Sequence, residues 1–276
     1  MATTATSWLN DLTSLFTPTA SQFDGAKGHK ASIEARLDYV LGVYRMVEIG
    51  SLRHGTGVWR YSDADYLVSL KGIQPTSPLT MLTKVKDALQ ARFTSTTITI
   101  RQPAVVCHFA DGIVEVVPGY IAIGGGYMIA DPRGGWMKSF PEEHNRYVNE
   151  VNAKHSGGGA KRLARHLKTW KYQRNVPVSS CYLEMRAAKF LSTETAYVPI
   201  IDLYYALKHL RSVELASLND PTGLGSRFGS CSSDSSKVDA LSTLDTAVLR
   251  AGRAMSFHLA DDHDKAIEQL KLLFNR

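Results

Sequence analysis

The sequence is poor in cysteine. Cys107, Cys181 and Cys231 lie far apart in 276 residues, with no CxxC pair. That spacing argues against a disulfide scaffold or a thiolate metal centre and points to a reducing compartment, the cytoplasm. No apolar run approaches the roughly 18 residues that cross a bilayer, so no membrane span is expected. The start, Met1–Phe16, is polar and rich in Thr and Ser. It lacks a basic end, a continuous apolar stretch and a cleavage site, so no secretory leader is expected. There is no internal repeat. "IGGGYMI" and "SGGGAKR" are Gly-rich but lack the GxxxxGKS/T order of a P-loop, and are expected to be a bend in a sheet and a turn between helices. Hydrophobic residues are plentiful at 44%, against 21% charged, which excludes disorder for most of the chain. Lys and Arg number 32 against 26 Asp and Glu, a net +6 that suits a phosphate-bearing or other polyanionic ligand.

The patterning predicts an α+β protein of two lobes: residues 1–136, including an N-terminal helix, form a mixed sheet with helices on one face, and 137–276 form a helical lobe. Ile33, Leu37, Val40, Leu41 and Tyr44 predict a helix over about 26–46. Asp63–Leu70 alternates as a strand does, and Ser77-Pro78 is a helix start. Thr96–Arg101, Ala104–Phe109 and Gly112–Val117 read as strands. Further on, Pro141 opens a helix, Leu163, Leu167 and Trp170 share a helical face, and Tyr182–Leu191 and Ile200–Leu210 continue the pattern. Residues 217–236 read as a long loop, followed by helices marked by Leu241, Leu244 and Val248 and by Ile267, Leu270 and Phe274.

Two features carry chemistry. Asp63 and Asp65 stand two apart on a predicted strand, so both face one side, roughly 7 Å apart. Glu115 shares a strand face with Ile113 and Val117. Paired anions repel unless a cation lies between them, and Mg²⁺ is the hard, oxygen-seeking ion that carboxylates hold. Three carboxylates on neighbouring strands suit a two-ion site for phosphoryl chemistry. The second feature is Gly50-Ser51 after an apolar stretch, with Gly55-Thr56 close behind: glycine admits phosphate to the backbone, and serine adds a hydroxyl. Lys161, Arg165 and Lys168 also recur on one helix face, readable as a phosphate-binding stripe or as a solvated face. "FHLADDHDKA", with His258, Asp261, Asp262, His263 and Asp264, reads as a helix cap rather than a metal cluster. Cys107 and Cys181 read as small buried residues.

With these motifs in place, the chain resembles the nucleotidyltransferases that share a fold with DNA polymerase beta. More closely it resembles the bacterial CD-NTases, cyclic-oligonucleotide synthases related to animal cyclic GMP-AMP synthase and oligoadenylate synthase. The matching stretches are "GSLRHGTGVWRYSDADYLV", "VEVVPG", "MIADPRGGWMKSFPEEHNRYV", "KRLARHLKTWKYQRNVPVSSCYLE" and "LNDPTGLGSRF", which span Gly50–Phe228. The resemblance implies a polymerase-beta-like core with the active site in the cleft between lobes. It implies that Asp63, Asp65 and Glu115 are catalytic and hold two Mg²⁺ or Mn²⁺ ions, with Glu115 standing where the family usually has Asp and helping to deprotonate the attacking hydroxyl. It implies that Gly50 and Ser51 hold the donor's β- and γ-phosphates, and that Lys168 and Ser180 reach the triphosphate from the helical lobe, with Lys171 a substitute for Lys168. Where the animal branch stacks a base on an aromatic, this chain has Cys181, so stacking is expected from Tyr182 or Tyr127.

The function expected from the resemblance is a metal-dependent nucleotidyltransferase. It joins nucleoside triphosphates, ATP among them, into a cyclic di- or trinucleotide messenger and releases pyrophosphate, in bacterial antiphage (CBASS) signalling. A regulatory protein or ligand is an expected partner; a membrane and a stable nucleic acid are not. Two alternatives stand beside it: a template-independent transferase acting on RNA ends or a small molecule, and a catalytically silent nucleotide-binding module.

Overall fold

The computed structural model describes residues 3–19, 24–61 and 63–276. The first helix, α1 (Ala5–Leu15), is capped by the Thr4 hydroxyl, which accepts the Ser7 N–H at 3.0 Å. The helix expected over 26–46 is divided. The chain forms α2 (Asp24–Gly28) and α3 (Lys30–Leu41), then turns at Gly42 (φ 72°) into β1 (Val43–Glu48). Tyr44 therefore lies on a strand, because the glycine's positive φ ends the helix first. The short α4 (Gly50–His54) leads to β2 (Ala64–Leu70). Next come α5 (Pro78–Arg92), which opens with Pro after Ser77, then β3 (Thr97–Arg101), β4 (Ala104–Phe109) and β5 (Gly112–Ile121).

Two strands, β6 (Tyr127–Ala130) and β7 (Trp136–Ser139), extend the sheet beyond what the sequence pattern predicts. The Gly-rich "IGGGYMI" makes the turn from β5 into β6, with Gly124, Gly125 and Gly126 all at positive φ. The seven strands among the described residues form one mixed sheet of order β1-β2-β5-β4-β3, with β6 and β7 continuing from β5. Only β2 and β5 run parallel there; the other pairs are antiparallel. β2 lies between two partners and is closed on both faces, so Leu67 through Leu70 are all buried rather than alternately exposed.

The rest is helical: α6 (Pro141–Ala153), α7 (Ala160–Gln173), α8 (Ser180–Leu191), α9 (Pro199–Ser212), α10 (Asp234–Leu259) and α11 (His263–Phe274). The loop before α10 is organised by Asp220, which accepts from the Thr222 and Gly225 N–H groups and pairs with His144 at 3.0 Å. Asp262 caps α11 by accepting the Lys265 N–H, so the acidic "FHLADDHDKA" run is a cap.

Among the described residues two large apolar cores result, beside a small cluster of Leu67, Ala104, Val117, Tyr127 and Ile129 on the sheet's other face. Ile33, Leu37, Met81, Leu82, Val85 and Leu89 pack against Tyr66, Val68, Val114 and Val116 on one sheet face. The other core gathers Leu163, Leu167, Trp170, Leu183, Leu203, Leu244 and Leu270. The N-terminal helix belongs to this second core, not to the sheet side where it was expected. Its Ala5, Leu9 and Leu12, with Phe16 beyond its end, bury among the C-terminal helices. An apolar stripe at helical spacing marks a face for burial without naming its partner. The boundary expected after residue 136 falls within β7, because the sheet runs to Ser139. Among the described residues no helix is long and apolar enough to cross a membrane.

Candidate active site

The Ile49 N–H donates to the Asp65 carbonyl at 2.9 Å, so the end of β1 is tied to the start of β2. Gly50 follows at φ 64°, a conformation that favours glycine. A Cβ at this position would also overlap the Asp65 carboxylate. Glycine is thus needed twice over, and it brings the Gly50-Ser51 bend directly against Asp65.

In β2, Ala64, Tyr66 and Val68 point into the sheet core, so Asp65 points the other way with Leu67. Parallel pairing places Asp65 opposite Glu115 on β5, and Glu115 shares its face with Val117. Adjacent strands run about 4.8 Å apart, which makes Asp65 and Glu115 lateral neighbours. Asp63, just before β2, completes an acidic face on the side of the sheet away from α3 and α5.

This face is short of positive charge. Burial, then repulsion from Asp63, pushes the Asp65 carboxyl up to about 7. Burial also raises Asp63, with Arg101 and His108 pulling the other way. Arg101 supplies the cation that is present: its guanidinium pairs with Glu115 and lies 3.5 Å from Asp63. Among the described residues no trio of His, Cys, Asp or Glu forms a ready-made metal cage. The acids share a face without closing on a point, and Arg101 pairs with two of them. Their donor chemistry, hard carboxylate oxygens with a surplus of negative charge, fits Mg²⁺ or Mn²⁺.

The helical side differs from expectation. Lys168 is 1% exposed, so its ammonium is held inside the protein. Its ammonium donates to the Thr56 carbonyl at 2.9 Å and lies 3.6 Å from Glu184. Glu184, also buried, accepts from the Thr56 hydroxyl at 2.5 Å and from the His54 imidazole. Burial alone would raise the Glu184 carboxyl; His54, Lys168 and Thr56 overcome it and bring the pKa to about 2. Arg165 donates to the Gly55 and Gly57 carbonyls at 2.8 and 3.0 Å. Two cations of the α7 stripe, Arg165 and Lys168, therefore clamp the backbone that follows α4, and half-buried Lys161 lies beside Gly55.

One turn on, half-buried Lys171 lies over the Tyr172 ring at 4.1 Å. Burial, helped by Lys168 and Arg101, lowers its ammonium to about 8. Ser180 opens α8 and bonds the Tyr172 hydroxyl at 2.9 Å. Tyr172 in turn stacks on Tyr61, centroids 4.5 Å apart and planes within 7°. Neither aromatic expected to stack a base is free. Tyr182 is fully buried and donates to the Ala216 carbonyl; Tyr127 is buried and bonded to Arg45 and Glu142. Cys107 is buried as expected, but Cys181 is exposed, because it sits at the open first turn of α8.

Sequence reasoning missed Arg101, Tyr61, Tyr172 and Glu184. Arg101 had a signal: in "TITIR" Ile98 and Ile100 face the core, and alternation puts Arg101 on the acids' side. Tyr61 stands just ahead of Asp63. The Tyr172 and Glu184 partnerships arise only from tertiary packing.

This constellation has counterparts. The model of the Second Messenger Oligonucleotide or Dinucleotide Synthetase domain matches residues 4–152. The chain belongs to that family. It is thus a nucleotidyltransferase of the CD-NTase group that its motifs resemble. Among solved structures it shares its fold with CdnC of Escherichia coli MS115-1, in a structure with ATP, at TM-score 0.74 and 16% identity over 98% of this chain and 97% of that one. Vibrio cholerae DncV, a cyclic AMP-GMP synthase in complex with the linear intermediate pppA(3′,5′)pG, aligns at TM-score 0.73 and 14% identity over 96% and 93%. CdnG of Bradyrhizobium diazoefficiens, in complex with GTP, aligns at 0.71 and 12% over 100% and 99%. No curated protein matches the sequence. The expected fold, a mixed-sheet nucleotidyltransferase core with a helical lobe, is the one these structures share.

Proposed function

We propose that this synthetase joins nucleoside triphosphates into a cyclic di- or trinucleotide, with release of pyrophosphate, in the cleft between a sheet lobe and a helical lobe. The observation that carries the reading is the acidic face of β2 and β5, set against the Gly50-Ser51 bend and overlooked by Lys171, Tyr172 and Ser180. CdnC, DncV and CdnG were solved with ATP, a linear nucleotide intermediate and GTP, which supports triphosphates as substrates here.

Asp63, Asp65 and Glu115 would hold the divalent ions, Mg²⁺ or Mn²⁺, which supply charge neutralisation at the transferring phosphate. This chain's residues do the rest. Gly50 lets the triphosphate approach the backbone, and Ser51 offers a hydroxyl to its outer phosphates. Lys171 takes the role expected of Lys168, meeting the triphosphate from α7 beside Ser180. Glu115 accepts the proton of the attacking ribose hydroxyl. The oxygen bonds to the donor's α-phosphorus as the bond to pyrophosphate breaks; a second transfer closes the ring. Tyr61, backed by the Tyr172 ring, offers the π-face that Cys181 does not. The reading extends to a cytoplasmic enzyme in antiphage signalling under a regulatory partner, in keeping with a CdnC structure solved as a complex with HORMA.

The test is incubation with all four triphosphates and Mg²⁺ or Mn²⁺, with mass spectrometry after phosphatase treatment. The expected product is a phosphatase-resistant ring. The Arg101–Glu115 contact favours one other reading, a silent nucleotide-binding module. Calorimetric binding of triphosphate without pyrophosphate release across metals and base mixtures would establish that reading instead.

A further inference from the structure

Arg101 sits where the chemistry calls for a cation. Ile98 and Ile100 are fixed in the sheet core, so the strand's period of two holds Arg101 on the acidic face. Its side chain reaches over β4 to meet Glu115 and Asp63, the two outer members of the acid trio. The three side chains differ in access: Arg101 is 65% exposed, against 25% for Asp63 and 17% for Glu115. The cation is therefore the hydrated partner and the anions are the sheltered ones. An ion pair made by so exposed an arginine is weak and easily exchanged. A divalent ion carries twice the charge and approaches carboxylate oxygens more closely than a guanidinium does, so it wins that exchange when supplied at sufficient concentration.

We infer that Arg101 is an exchangeable counter-ion: it neutralises Asp63 and Glu115 in the empty enzyme, competes with the divalent cation for them, and yields when the cation arrives with the triphosphate. This rests on the acid face being the metal site, and it adds a positioning residue outside the motifs of the family. The contact offsets the negative charge of Asp63 and Glu115 while no substrate is present. It also makes metal occupancy depend on substrate, because a triphosphate brings its own anionic oxygens to help displace the arginine.

The experiment measures Mn²⁺ binding without nucleotide, by the electron paramagnetic resonance signal of free Mn²⁺, for the native protein, Arg101→Gln, Arg101→Lys and the Asp63→Asn/Asp65→Asn double variant. Arg101 is exposed, so its substitution leaves the fold intact, which a melting curve checks. Removing two exposed ion pairs should tighten Mn²⁺ binding about tenfold in Arg101→Gln. Arg101→Lys should restore most of the native weakness. The gap should narrow when a non-hydrolysable triphosphate is present. Mn²⁺ affinity that is unchanged or weaker in Arg101→Gln, while the double aspartate variant loses Mn²⁺, overturns the exchange and leaves the metal site standing. Mn²⁺ binding that survives the double aspartate substitution overturns the site itself.

Discussion

Asp65 and Glu184 are two carboxylates withdrawn from water, and they end on opposite sides of the ordinary carboxylate range, at about 7 and about 2. Burial pushes both upward. Glu184 escapes because the fold surrounds it with His54, Thr56 and Lys168, so its charge is balanced within the chain. Asp65 has burial and the charge of Asp63 against it and a glycine beneath it; Lys168 and Arg101 pull the other way without offsetting them. A buried carboxylate with a full set of partners is part of the framework. One paired with another carboxylate is left to be completed from outside. The two clusters are joined: Lys168 and Arg165 hold the segment just after α4, and α4 begins at the Gly50 bend that touches Asp65. The sealed cluster thus fixes the position of the open one.

The comparison is broken most directly at the open cluster. Asp63→Asn with Asp65→Asn should lower turnover by about three orders of magnitude or more, the scale of losing charge stabilisation at a transferring phosphate. Pyrophosphate release reads this, and melting should hold or rise as the repulsion goes. Turnover within tenfold of native would mean that reaction occurs elsewhere. At the sealed cluster the effect should appear in stability instead. Glu184→Ala leaves Lys168 buried without its counter-charge, a loss of about 3–5 kcal/mol in urea unfolding. Replacing both residues by apolar ones of similar volume should cost much less. A loss below about 1 kcal/mol for the single variant would show that Lys168 finds water or another partner, and that the sealed cluster does not hold the segment after α4.

Proton linkage separates the clusters in metal-free protein. The folded-state pKa of Asp65 is raised, so between the ordinary carboxylate range and about pH 7 the folded protein binds a proton that the unfolded chain does not. That site's contribution to stability falls as pH rises through the window. Glu184 is the reverse: its contribution is present above the ordinary range and is lost as pH falls toward 2. Asp65→Asn should therefore stabilise the protein relative to native by an amount that grows from pH 4 to pH 7, measured with a chelator present. A difference that shrinks over that window would refute the assigned direction.

How much of this could be read from the sequence depends on the range of the interaction. Alternation along "DADYLV" and "VEVV" put Asp63, Asp65 and Glu115 on faces, and period two is a local property of a strand. Which strands then lie side by side is not local, yet the Asp65–Glu115 register decides that the acids share one face as neighbours. Lys168 shows the limit from the other side. Helical spacing grouped it with Lys161 and Arg165, but a helical wheel does not say whether a charged stripe meets solvent, phosphate or buried carbonyls. The glycine turn was legible because its cause is local. The short β6 and β7 were not, since four residues hold too little periodicity. The N-terminal helix is expected in the sheet lobe from its place in the chain alone, because nothing local in a stretch that reads as polar says which core will receive it.

The smallest expected effect tests the aromatic pair that crosses from the loop before β2 to α7. If its π-face receives a base, removing one ring should act on binding and leave chemistry alone. Tyr61→Leu should raise KM for the triphosphate about tenfold at nearly constant kcat, in line with roughly 1–3 kcal/mol for stacking a base on an aromatic ring. Tyr172→Phe keeps the ring and loses only the hydroxyl that meets Ser180, a neutral hydrogen bond worth about 1 kcal/mol, so KM should move by no more than a few-fold. The order of the two is the informative result. A larger effect from Tyr172→Phe would show that the hydroxyl's alignment of Ser180 matters more than the ring, and the stacked pair would then be a clasp between the lobes rather than a platform for the base.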